Sequence, residues 1–485
     1  MLNKFKKERG KKMKRGYVKL LALIMALVFL VGCGGSATTQ STSDATQTSG
    51  ASSTEGTKTA TETKSSKGRI IVTFWTANTG NLYEWKRQAA DKFNQIQDKY
   101  FVDVSYQGSY NDILTKVRTS QKENLPDIVH TNGTGVASIA VTDKFIPIQD
   151  FVDRDNFDMS DIMVNLKANY TRNGRWICVP MGNTVVGFFY NEDMLKQVGI
   201  DPRNDLNSYE EILVAAEKLA KSGIVKYPFY YSRSSDFIVW SMVAEGLKYV
   251  DNNNGKDGVP TKCFFMEDPK VYDAVYTFFS FLKTMFMNGW AVPYDTNAAS
   301  SRELFVNKEV AMILGYSSST TTIGDMCDWS MNFGFHESPT IHKGVKSIGQ
   351  AGGGGALFIA NNGDEESANG AWEFIKFLLQ PDQTAGFAMA SGYLPTTQSG
   401  WDHTDYQKFV AEKFPTAVHL HEAQKNTSQE CYAAQMPMFS QFDSEYNKIT
   451  QRLCTEPDYT VEQAIKDLTD KTNEAIELYL LESKK

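Results

Sequence analysis

The sequence predicts an α/β protein whose folded part divides into two lobes. Three observations carry that prediction. Apolar β-rich runs alternate with segments whose apolar residues recur every three or four positions, the pattern of a mostly parallel sheet with helices on its faces. The segment 69–485 exceeds the ~250–300 residues at which a single core usually splits. At Trp176 the regular alternation gives way to short β-like pieces separated by Gly182-Asn183-Thr184.

Ile70–Trp75 reads as the first strand and ends in the polar turn Thr76–Gly80. Leu82, Trp85, Ala89, Phe93 and Ile96 follow at helical spacing. Val102–Tyr106 is the second strand, Ile113 to Gln121 a helix and Asp127–Val129 the third strand. In such sheets ligands bind beyond the carboxyl ends of strands, so the loops 76–80, 107–110 and 131–135 are expected to line a site. After Trp176, Ile177–Pro180 and Val185–Tyr190 read as short strands. Ser208 with Glu211 forms a capping-box signature for a helix through Leu219. Val271–Met287 and Ala371–Leu379 have helical periodicity, and Pro381 marks where the latter stops. The last helix starts at Thr460, with Gln463 as its capping partner and Ala464, Leu468 and Ile476 on its inner face.

The segment ahead of the first strand has a different character. Eight Lys and Arg residues between Lys4 and Arg15 precede the apolar run Leu20–Val31, which is too short to span a bilayer. A charged region, a short apolar region and small residues describe a secretory signal over 1–32. Leu30-Val31-Gly32-Cys33 resembles the bacterial lipobox, which makes Cys33 the expected lipidated first residue of a mature, membrane-tethered chain. The Ser/Thr-rich tract 33–68 lacks the large apolar side chains needed to offset the entropy of folding, and reads as a disordered linker. Residues 1–32 carry nine Lys or Arg against one Glu, so their removal takes the net charge from −7 to −15. So acidic a body disfavours nucleic acid as a partner. Cys178, Cys263, Cys327, Cys431 and Cys454 remain, an odd number without zinc-ligand spacing, and no pairing follows from them.

Several short motifs carry a resemblance in their order: Leu125–Val129, Val179-Pro180 through Phe189-Tyr190-Asn191, Ser208–Leu219, Glu303-Leu304-Phe305 with Ala311-Met312, Gly353–Leu357, Ala371–Leu378 and Ser391–Pro395. The series resembles the extracellular solute-binding proteins of carbohydrate ABC importers, in the branch containing the glycerol-3-phosphate and maltose binding proteins. One local departure is Asn307, where that family usually has Gly. The resemblance implies a two-lobed periplasmic-binding-protein fold of type II. Lobe 1 would comprise 69–182 and 338–392, and lobe 2 would comprise 183–337 and 393–485. Hinge crossings are expected near Gly182–Thr184, Glu337–Pro339 and Gly392–Pro395. The implied partners are a small-molecule carbohydrate and permease subunits with a separate ATPase, the receptor itself being a monomer with no cofactor and no metal.

The candidate ligand residues come from the predicted cleft loops and from matched positions. Thr76, Asn78 and Asn132 lie in strand-end loops, and Asn183 and Thr184 in the first crossing. Tyr110 and Tyr393 match contact positions of the resembled branch; each is weighed against plain lobe packing. Gly353 and Gly354 are expected to bring backbone close to ligand, or else to form a structural turn. The next residues read as a strand and no Lys-Ser or Lys-Thr follows, so this is not a phosphate loop. Tyr316 and Ser317 offer hydroxyls at a strand end. Arg233 and Asp236 are placed to clamp hydroxyls or a charged group, against simple solvation.

Where the branch has an acidic residue after the third strand, this chain has His130–Gly133. Where the branch has a late arginine it has Cys431–Ala434, which removes the natural bidentate partner of a phosphate. A neutral sugar is therefore preferred over glycerol 3-phosphate, and a surface glycoside hydrolase is the enzyme alternative. Asp251–Gly255 fails calcium-loop spacing and reads as a polar turn.

Overall fold

In the computed structural model the described residues are 68–294 and 298–483; the signal, Cys33 and the linker lie outside them. Among the described residues the strands in chain order are β1 (Ile70–Thr76), β2 (Tyr100–Tyr106), β3 (Ile128–Asn132), β4 (Phe145–Ile146), β5 (Thr171–Arg172), β6 (Arg175–Trp176), β7 (Val179–Pro180), β8 (Val186–Asn191), β9 (Tyr227–Tyr230), β10 (Val310–Tyr316), β11 (Phe333–Glu337) and β12 (Gly355–Ala360).

The first lobe is built on a sheet ordered β2-β1-β3-β12-β4, with β7 also on β12. β1 runs parallel to β2 and β3, whereas β12 returns antiparallel against β3 with Leu357 opposite His130. Its core packs Val72, Phe74, Ile128 and Phe358 against Trp372, Phe374 and Ile375 of the helix Glu365–Leu378. Helix Gly80–Ile96 covers the same sheet through Ala89, Ala90 and Phe93. Ile96, at the last position of that stripe, is 63% exposed, because the helix ends there beyond the edge of the core.

The second lobe has the mixed sheet β11-β8-β10-β9. Side chains alternate across it, as the two-residue period of a strand requires. Val186, Phe188, Met312 and Leu314 join Tyr209, Phe278 and Phe442 on one side. Val185, Phe189 and Ile313 meet Trp401, Tyr406 and Leu420 on the other.

Local signals set several helix starts. Ser109 and Asp112 form a complete capping box for Tyr110–Thr119, and Thr460 and Gln463 do the same for Val461–Glu482. Ser208 caps Tyr209–Ser222 by accepting from the Glu211 amide at 3.2 Å, but the Glu211 carboxylate turns to Asn207 N at 3.0 Å, so that box is half-formed. All five cysteines beyond Cys33 are free, and four of them are buried.

Three chain segments meet between the lobes. Thr184 and Gly353 exchange backbone hydrogen bonds at 2.9 and 3.0 Å, and Leu394 N donates to Asn183 O at 2.8 Å. The middle crossing therefore falls at 352–355, a correction to its expected place at Glu337–Pro339. Residues 338–351 pack with the second lobe rather than the first. Ile341 and Ala351 enter the second-lobe core, Thr340 bonds Asn207, and Gln350 binds both Ser338 and Thr427.

Candidate ligand cleft

A cavity of about 440 Å³ opens between the lobes immediately above these crossings. Its first-lobe wall is made where β1, β2 and β3 end. The capped N-terminus of Tyr110–Thr119 presents Tyr110 and Asn111, and the turn after β3 presents Asn132 and Gly133. The helix Val164–Tyr170 adds Asn169 and Tyr170. The second-lobe wall carries Asp236 and Trp240 on the helix Asp236–Ala244, Tyr316 at the end of β10, and Gln435, Phe439 and Asp443 from the C-terminal region. Gly352–Gly354 and Tyr393 form the floor at the crossings.

Of the thirteen expected ligand residues, Tyr110, Asn132, Thr184, Asp236, Tyr316, Gly353, Gly354 and Tyr393 line this cavity. The others are behind or beside it. Thr76 is fully buried under the wall, accepting from Lys86 Nζ at 2.9 Å. Asn78 donates to Tyr110 Oη at 3.1 Å and so backs a lining residue. Asn183 is a buried strut between crossings, accepting from Asn165 at 3.0 Å and Gln424 at 2.9 Å while donating to Gln424 and to Pro395 O. Ser317 is buried and holds Thr184 Oγ1 at 3.1 Å and Val185 N at 3.1 Å. Arg233 is exposed, with its guanidinium 5.6 Å from the Tyr294 ring centre.

The glycines of the floor have a steric reason. Gly354 has φ +131°, and a Cβ there would meet Gly182 O at 2.4 Å. A Cβ on Gly353 would meet the Trp240 ring at 2.5 Å.

Sequence reasoning missed the side chains with the most unspent bonding capacity. Gln435 is 7% exposed and lines the cavity with both amide atoms unpaired among the described residues. The Tyr170 hydroxyl, fully buried, is likewise without a partner. Buried polar groups are normally paired, so such atoms at a cavity wall mark where a polar ligand completes the set. Gln435 is held in place from behind: its backbone N–H donates to Asn254 O at 2.9 Å, within the Asp251–Gly255 turn. Trp290 and Trp401 pack elsewhere, Trp401 stacking on His421 at 3.8 Å, and Trp240 is the tryptophan of the cavity.

The electrostatics of the lining are one-sided. Among the described residues Asp236 and Asp443 are its ionisable carboxylates, and no Lys, Arg or His lines it. Asp443 is fully engaged, by Ser235 at 2.6 and 2.8 Å and by Asn447 at 3.0 Å. Asp236 accepts from Tyr316 Oη at 2.6 Å through Oδ2, while Oδ1 has no partner among the described residues. Burial pushes the Asp236 carboxyl up to about 6, with the Asp443 charge adding to the rise against the Tyr316 hydrogen bond. Among the described residues no group of three His, Cys, Asp or Glu is placed to hold a metal.

Two α/β lobes, three strand-like crossings and a polar-aromatic cavity between them define a two-lobed receptor for a small solute. Residues 88–416 match the model of the bacterial extracellular solute-binding protein family, and the chain belongs to that family. It is similar to the sn-glycerol-3-phosphate-binding periplasmic protein UgpB of Escherichia coli K12, with 26% identity over 355 residues covering 71% of this chain and 78% of that protein. Among solved structures it shares its fold with the sugar-binding protein MalE of Xanthomonas citri (TM-score 0.68, 18% identity, 86% of this chain and 100% of the other). It is also similar to UgpB of Mycobacterium tuberculosis in complex with glycerophosphocholine (TM-score 0.67, 19% identity, 86% and 100%). No helix among the described residues is long and apolar enough to cross a membrane.

Proposed function

We propose that the protein is the saccharide receptor of an ABC importer, tethered outside the cell membrane through a lipid on Cys33. The observation that carries the ligand class is the composition of the cavity wall. Tyr110, Tyr170, Trp240, Tyr316, Tyr393 and Phe439 supply ring faces, while amides, hydroxyls and Asp236 supply directional partners. Sugars offer both an apolar C–H face and hydroxyls, and a volume of about 440 Å³ falls in the usual range for small-molecule sites. A phosphate would meet no guanidinium or ammonium on the wall: Ala433 and Ala434 line it near the expected arginine, and Arg233 is turned to Tyr294. Similarity to UgpB keeps glycerol 3-phosphate or a glycerophosphodiester as the second reading.

The tether fits a receptor that must find its permease. Binding without turnover fits Asp443, whose carboxylate is committed to Ser235 and Asn447 and is no free partner for acid–base work with Asp236. The receptor acts as a monomer beside separate permease and ATPase chains.

A melting screen of the mature protein against mono- and oligosaccharides, sn-glycerol 3-phosphate and glycerophosphocholine tests the reading. A saccharide at 100 times its Kd is expected to stabilise by ~2.7 kcal/mol. Stabilisation by the phosphates alone would overturn the saccharide assignment.

A further inference from the structure

Helix Gly80–Ile96 buries a lysine. Lys86 is 1% exposed, in the apolar stripe of the helix beneath the first-lobe wall. Three neutral acceptors surround its nitrogen: Thr76 Oγ1 at 2.9 Å, His130 Nδ1 at 3.0 Å and Asn78 Oδ1. They match the three protons of an ammonium, but among the described residues no carboxylate pairs with it, and burial pushes the Lys86 pKa well below the ordinary lysine value. The Phe74 ring centre lies 5.8 Å from the same nitrogen. Unpaired buried cations are costly and rare, so this one calls for a reason.

The reason lies in what an ammonium cannot do. In its protonated form Lys86 donates and never accepts, so it holds the Asn78 amide with oxygen inward. The NH2 group of Asn78 then points at Tyr110 and donates to its Oη at 3.1 Å. That bond occupies the phenol oxygen as an acceptor from behind the wall, which leaves the Tyr110 O–H proton for the cavity. Across the cleft the sense is reversed, because Asp236 Oδ1 is an unpaired acceptor. We infer that Lys86, without touching the solute, sets the polarity of this site: through Asn78 it commits Tyr110 to donating. The first-lobe end thus takes an acceptor oxygen of the solute, while Asp236 takes a solute hydroxyl. The inference rests on the cavity being the solute site.

A double-mutant cycle and one charge variant test it, with maltose and sn-glycerol 3-phosphate as probes. Tyr110→Phe and Lys86→Met are each expected to weaken binding about ten-fold, the loss of one buried hydrogen bond. In the Tyr110→Phe background, Lys86→Met should cost nothing more. Additive losses would mean that Lys86 merely supports the fold, and would overturn the inference. Asn78→Asp separates stability from binding. Its carboxylate pairs with Lys86, so the melting temperature should rise, yet it also accepts the Tyr110 proton, so the bound probe should weaken at least ten-fold. An Asn78→Asp protein that melts no higher, or binds as the wild type does, defeats the proposal. If the wild type binds neither probe, the assignment of solute class above falls, while the melting of Asn78→Asp still decides whether Lys86 is an uncompensated buried charge.

Discussion

Asp236 shows how a single carboxylate on the cavity wall can cost the fold stability. Its carboxyl is raised to about 6, chiefly by burial, above the ~3.9 of an exposed aspartate. Between those values the folded chain holds a proton that the unfolded chain has released. Stability therefore falls as pH rises from about 4 to 6, and the whole cost is present at neutral pH. Asp236→Asn should melt higher than wild type at pH 7, by about 1–2 kcal/mol once partial solvent screening is allowed for, with the difference closing towards pH 4. Melting curves at the two pH values check this; a constant difference would show that the charge is not the cause. Asn183 is the opposite case, a residue spent wholly on structure. It bonds Asn165, Gln424 and Pro395 at the crossings. Asn183→Ala strands buried amide groups on Asn165 and Gln424, and should cost about 2–3 kcal/mol in denaturant unfolding.

At the scale of elements, what was legible in the sequence is what local chemistry decides. The boxes at Ser109/Asp112 and Thr460/Gln463 are read from residues three apart, and β1, β2 and β3 from runs of a few residues. The middle crossing was not legible. Residues 338–351 lie on the second lobe through Thr340 to Asn207, His342 to Glu245 and Gln350 to Thr427, contacts 77 or more residues apart in the chain. The cavity divides in the same way. Strand-end loops pointed to Tyr110 and Asn132, whereas Tyr170 and Gln435 sit in segments with no local signal and are brought in only by tertiary packing. Lys86 did leave a trace: it falls four residues after Leu82 and four before Ala90, a lysine within an apolar stripe. The 352–355 crossing also carries its own test. Gly353→Ala pushes a methyl into the Trp240 ring across the cleft, so binding should fall more than ten-fold while the melting temperature moves by a few degrees at most. Wild-type affinity in Gly353→Ala would show that this close approach is dispensable.

Across the whole molecule the lobes also touch at the mouth of the cavity, away from the crossings. Ser138 Oγ donates to Pro437 O at 2.9 Å, Gln429 Nε2 to Val164 O at 3.1 Å, and Ala433 N to Asn169 Oδ1 at 3.1 Å. The segment 428–438 belongs to the second lobe, where Cys431, Met436 and Met438 are in its core. Its three partners stand on the helices Val136–Ala140 and Val164–Tyr170 of the first lobe. Parting of the lobes would break these bonds, so in a receptor that opens they favour the closed state. Ser138 and Gln429 do not line the cavity, which allows closure to be weakened without touching the site. Each bond is worth about 0.5–1.5 kcal/mol, so Ser138→Ala with Gln429→Ala should shift the closed-to-open ratio by roughly five- to 150-fold. A receptor that is less often closed binds its solute more weakly by the lost fraction. The double variant should therefore have a larger radius of gyration by solution scattering without solute, return to the wild-type value at saturation, and show a higher Kd with an unchanged melting temperature for the individual lobes. Identical scattering of the two proteins without solute would mean that these contacts do not hold the cleft shut.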